Sequence, residues 1–121
     1  MKKSQPIKVD DWLYNFRLVP KVGKDWTADT TGRIHRVSPK KRQGTIRVLY
    51  AGRTNYNVLA DSIHEMLHAQ DWDAEESAII RRTGEIAFLV VVVLLELGLI
   101  DCDTLNSKAR ARRLKDDCRS A

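Results

Sequence analysis

The chain is short of the residues that would place it in a special class. It has two cysteines, Cys102 and Cys118, in no CxxC pair. That excludes a disulfide framework and points to free thiols in a reducing compartment. Three prolines and six glycines in 121 residues exclude collagen-like and low-complexity chains. No apolar run reaches the roughly twenty residues of a membrane span. The longest, residues 86–100, has Glu96 inside it and reads as a buried core helix. Lys2 and Lys3 are followed by mostly polar residues, so no cleaved secretory signal is expected and the expected location is cytoplasmic. Neither sign of charge dominates: Lys plus Arg is 21, Asp plus Glu is 16, and the net charge is +5. This balance permits binding to nucleic acid or an acidic surface without requiring it.

What is present suits one globular domain with one modest core, since 43% of residues are apolar and 31% charged. Trp12, Tyr14, Phe16 and Leu18 alternate with other residues at a strand's period of two, and Pro20 ends the run. Residues 21–31 read as a loop around Trp26. Strands are expected over 32–37 and 45–51, joined by a hairpin connection with the basic tip Lys40-Lys41-Arg42. Leu59, Ile63, Met66 and Leu67 then form one helical stripe within 57–70, with Thr54 or Asn57 as its cap. A second helix is expected from after Asp73 to about Leu97, with Gly98 near its end. Strands grouped before helices predict an α+β fold, a small antiparallel sheet followed by two packed helices. The domain is expected over 10–101, between an N-terminal arm over 1–9 and a basic C-terminal tail over 102–121.

His64-Glu65-Met66-Leu67-His68 is an HExxH motif inside the first helix. Positions i and i+4 lie on one helical face, so two imidazoles can grip one metal ion. Glu65, beside the first ligand, can act as general base rather than as a ligand. The chain has three histidines, and this pair uses two of them. A catalytic zinc site needs a third protein ligand. Asp71 and Ala74 stand where HExxHxxGxxH would require Gly and His, which excludes that longer motif. His35, the remaining histidine, reads as an ordinary strand residue. A downstream carboxylate is the better candidate: Glu76 first, with Glu75, Asp71, Asp73 and, further along the second helix, Glu85 as alternatives. Glu76 has a second reading, because Asp73 followed three residues later by Glu76 resembles a capping box.

The motif with its downstream carboxylates resembles the zincin metallopeptidases of gluzincin type. More specifically, Ile63 through Ala69, then Asp71-Trp72-Asp73 and Glu75-Glu76, are similar to small zincin-like proteins of phage and bacterial genomes. The resemblance covers roughly residues 10–100, and its specific part is 63–76. By that match Glu76 begins the second helix as the third ligand. The run Val90 to Val93 departs from the charge such domains carry on the second helix, which leaves its packing and oligomeric state open.

The resemblance implies a Zn²⁺-dependent peptidase acting through a metal-activated water, with His64, His68 and Glu76 as ligands and Glu65 as the catalytic base. Zincins commonly lay substrate along a sheet edge, and the strand over 45–51 is the expected edge. Asp61, Asp71 and Asp73 are candidates to orient the imidazoles. Tyr50 and Tyr56 are candidates to stabilise an oxyanion, and Trp72 is expected to cover the gap between the helices. The expected partner is a peptide or protein substrate. The alternative is an accessory protein with a relic or structural metal site, binding nucleic acid or another partner through the basic loop and tail. No membrane is expected as a partner. The apolar run 86–100 would also suit a homodimer that covers surplus apolar surface.

Overall fold

The first strand pair starts earlier than the alternation around Trp12 suggests. In the computed structural model, which describes residues 5–27 and 30–111, β1 (Gln5–Val9) pairs antiparallel with β2 (Trp12–Val19) through the two-residue turn Asp10-Asp11. The expected N-terminal arm over 1–9 is corrected for residues 5–9, residues 1–4 lying outside the described residues: Ile7 lies opposite Tyr14 and Val9 opposite Trp12, and Val9 is buried. Pro6 and Lys8 hid this strand in the sequence. Both are tolerated because β1 is an edge strand.

β3 (Gly32–Ser38) and β4 (Gln43–Leu49) form the expected hairpin. The strand order is β1-β2-β4-β3. β4 runs parallel to β2, with Phe16 opposite Ile46 and Leu18 opposite Val48. The sheet is therefore mixed rather than purely antiparallel. β4, expected as the edge, lies inside the sheet, and β3 is the edge. Alternation along a strand reports which face is buried and carries no information about lateral neighbours, so the strand order was not readable. The α+β class itself stands.

α1 (Asn55–Gln70) starts where Thr54 caps it, its side chain accepting from the Asn57 backbone N–H at 3.2 Å. One face of α1 packs on the sheet, where Tyr14, Ile46, Val48, Val58 and Ala69 form a buried cluster with Val9. α2 (Glu76–Glu96) lies against α1 through Ile79, Thr83, Ala87 and Val91, each four residues after the last. Its small residues Thr83 and Ala87 allow a close approach. The run 86–100 is thus buried on one side only. Phe88, Leu89, Leu97 and Leu99 are each more than 60% exposed, because no second layer covers them among the described residues. No helix among the described residues is long and apolar enough to cross a membrane.

α3 (Cys102–Asn106) is a single turn capped by Asp101, whose carboxylate accepts from the Thr104 backbone N–H at 2.8 Å. The stretch after it is docked, with the Ala109 N–H bonded to the Arg53 carbonyl at 2.8 Å. The expected tail over 102–121 therefore starts as ordered chain. Arg112, Arg113, Lys115 and Arg119 lie outside the described residues.

Candidate metal centre

The spacing of the motif fixes the first two side chains. His64 and His68 are one turn apart on α1, and their Nε2 atoms are 3.1 Å apart. The turn 71–75 reverses the chain, and α2 brings Glu76 back over them. Its Oε1 lies 2.8 Å from His64 Nε2 and its Oε2 2.9 Å from His68 Nε2. The competing role of Glu76 in a capping box is not realised. The N-cap of α2 is Glu75, not Asp73, and it makes no side-chain cap bond.

These three residues form a group that could hold a metal ion, with one ligand atom from each, all within 4.8 Å of one another. The donor set fits: two neutral imidazoles and a carboxylate are a common ligand combination for a divalent ion of borderline softness. A tetrahedral zinc at about 2.0–2.1 Å needs ligand atoms roughly 3.3 Å apart. The two imidazole nitrogens, 3.1 Å apart, would open by only a few tenths of an ångström, and Glu76, which meets each of them through a different oxygen, would turn one oxygen towards the ion.

Glu65 stays out of the ligand group but lines the same recess as His64 and Glu76. It is buried, with 7% of its surface exposed, beneath the start of the edge strand β3. Burial is the main cause that pushes its carboxyl up from 4.5 to about 7, and the carboxylates of Glu76 and Asp61 push the same way. Gly32 makes this proximity possible. A Cβ there would lie 3.0 Å from Glu65 Cγ, so a side chain at Gly32 would crowd the acid.

A cleft of about 500 Å³ opens between β3 and the helices, lined by Thr30, Gly32, Arg33, Ile34, Glu65, His68 and Trp72. A smaller recess of about 260 Å³ beside it reaches His64, Asp61 and Glu76. Thr30, Gly32, Arg33 and Ile34 line the cleft and are not revealed by the HExxH spacing. Gly32 was the available signal, since a residue without a side chain allows another group to approach the backbone closely.

The other candidates divide. Asp61, one turn before Glu65, pairs with Arg53, and Asp71 pairs with Arg82 at 3.2 Å. Among the described residues neither aspartate is hydrogen-bonded to an imidazole, and Asp73 is exposed. Glu75 caps α2 and stands outside the cluster. Tyr50 packs against the core, and Tyr56 sits in the first turn of α1; neither lines the cleft. His35 is exposed and outside the histidine cluster. Trp72 forms a wall of the cleft and stacks on Arg36 rather than filling the space between the helices. At the basic tip, Arg42 pairs with Asp11 at 2.5 Å. No protein-family model, curated protein or solved structure matches the chain.

Proposed function

We propose that the protein is a zinc-dependent peptidase. One observation carries this reading: a carboxylate seated across two imidazoles, with a separate buried carboxyl beside them in a cleft under an edge strand. His64, His68 and Glu76 would hold the ion. When bound, the ion supplies a Lewis acid that lowers the pKa of a water from 15.7 to about 7 and polarises a carbonyl. Glu65 takes a proton from the attacking water and returns it to the leaving amine. Its burial keeps that proton exchange away from bulk solvent. The edge strand β3 offers its backbone to an extended peptide, which would add as a further strand and lie along the cleft. Gly32 keeps that edge close to Glu65.

A structural metal site is disfavoured by the ligand count. Such sites are usually closed by four protein ligands, and three residues converge among those described.

The test is metal content by mass spectrometry on protein purified without added metal or an affinity tag. About one zinc per chain is expected in the wild type, and none in His68→Ala or Glu76→Ala. Glu65→Gln should keep the metal and lose cleavage of an unstructured peptide library. Absence of bound metal, with no uptake on adding zinc, would overturn the reading. Salt-dependent DNA binding that survives Glu65→Gln, without peptide cleavage in the wild type, would favour the accessory-module alternative.

A further inference from the structure

The turn between the motif helix and Glu76 is tied to the sheet by a device remote from the ligands. The Arg36 guanidinium lies between two indoles, 3.8 Å from the ring centre of Trp72 and 4.2 Å from that of Trp12. Its Nε also donates to the Tyr14 hydroxyl at 3.2 Å. Tyr14 is fully buried and stacks on Trp12 with ring centres 6.0 Å apart. Trp72 belongs to the turn 71–75, between the ligand candidates His68 and Glu76.

Two further features permit this arrangement. Arg36 is on β3 and Tyr14 on β2, strands that are not neighbours because β4 lies between them. The β4 residue opposite Tyr14 is Gly44. A Cβ on Gly44 would meet Tyr14 Cε1 at 2.7 Å and the His35 carbonyl oxygen at 2.6 Å. Only a residue without a side chain lets Tyr14 lie over β4 towards Arg36. In addition, the pairing of β3 with β4 shifts register between His35 and Ser38, at Arg36 and Val37. Irregularities of this kind re-aim a side chain next to a site.

We propose that Arg36 is a positioning residue, a strap that holds Trp72 and the turn 71–75 against the sheet and so sets where Glu76 meets the two histidines. This rests on the metal-site reading for its functional consequence, but the strap has its own readout. Without Arg36 the turn loses its stacking contact to the sheet, and Trp72 is free to leave the cleft wall. The Glu76 side chain is 59% exposed, so apart from its contacts to the two imidazoles its position is set by the first turn of α2, into which the turn 71–75 leads.

The experiment compares wild type, Arg36→Met, Arg36→Lys and Gly44→Ala. Amide hydrogen exchange across residues 71–76, measured with chelator present, reads the strap without metal. Zinc affinity, measured by competition with a chromophoric chelator, reads its effect on the site. Arg36→Met should speed exchange in the turn and weaken zinc binding, each by about tenfold, the scale of one or two cation–π contacts. Arg36→Lys keeps the charge but loses the planar stack, and should fall between. Gly44→Ala touches neither helix and should move both readouts in the same direction. Val91→Ala, a buried truncation about four turns along α2 from Glu76, should lower global stability and leave both unchanged. Unchanged exchange over 71–76 in folded Arg36→Met would overturn the strap. A wild type that binds no zinc would remove the metal reading, and the exchange result would still decide for or against the strap.

Discussion

The two ends of α2 share one helix and have opposite surroundings. At its start, Glu76 reaches both imidazoles and Arg82 reaches Asp71. Past its middle, Phe88, Leu89, Val93 and Leu97 face outward with no apolar neighbour layer over them among the described residues. The first end is ordered by polar partners with directional geometry. The second is apolar nearly all round, a pattern usually found on buried helices. What holds the two together is the line Ile79, Thr83, Ala87 and Val91 against α1. The contrast separates residues that keep the helix in place from residues that are merely apolar.

The largest expected effect follows from that line. Ile79 is fully buried, and Ile79→Ala should cost about 3 kcal/mol of unfolding free energy in urea titrations. Leu89→Ala, at 62% exposure, should stay within about 0.5 kcal/mol. Comparable losses at both positions at high protein concentration would mean that a partner buries the outer face.

Glu65 sharpens the comparison at the site end. Folded, it holds its proton up to about pH 7; unfolded, it releases it near 4.5. Its contribution to stability is therefore fully present below pH 4.5 and is lost as pH rises through 7. The difference amounts to about 3 kcal/mol at 1.36 kcal/mol per unit. In metal-free protein, wild type should lose that much relative to Glu65→Gln between pH 4.5 and 8. Parallel pH profiles for the two proteins would show that burial does not penalise the Glu65 charge.

Metal should act at the same end with a similar size. Free zinc at a hundredfold its Kd should stabilise the wild type by about 2.7 kcal/mol. Calorimetry should register this as a rise in Tm, absent in His68→Ala. A rise that persists in His68→Ala would place the ion elsewhere.

The smallest effect belongs to the outer end. Exposed apolar surface of this extent favours association. Sedimentation velocity at high micromolar concentration should therefore detect a reversible dimer, weakened several-fold in Leu89→Glu. A strictly monomeric profile would leave the face without a self-partner.

The sequence made the site legible where its residues are close along the chain. Periodicity puts His64 and His68 on one face, and Glu76 lies a short turn further along the chain, where the sequence leaves Glu75, Asp71 and Asp73 as alternatives and the resemblance to zincins favours Glu76. Gly32, Ile34 and Arg36 could not be found that way, because they reach the site through the sheet. Their placement depends on β3 being the edge, and the alternation in β4 fits an interior strand and an edge strand equally well. The same gap explains β1, whose Pro6 and Lys8 resemble an arm until β2 supplies a partner. For α2, the composition of 86–100 was read as burial. Among the described residues α2 packs against α1, which covers one face.

The interior position of β4 also bears on how the chain assembles. β2 must wait for residues 43–49 before it gains its parallel neighbour, and β3 is made in the interval between them. That seam closes a long loop and costs more chain entropy than any contact inside the α1–α2 hairpin. The hairpin can find its own geometry from nearby residues. The strand that roofs Glu65 joins the rest of the sheet through β4, so the roof over the acid depends on the long-range β2–β4 seam as well as on its own local hairpin.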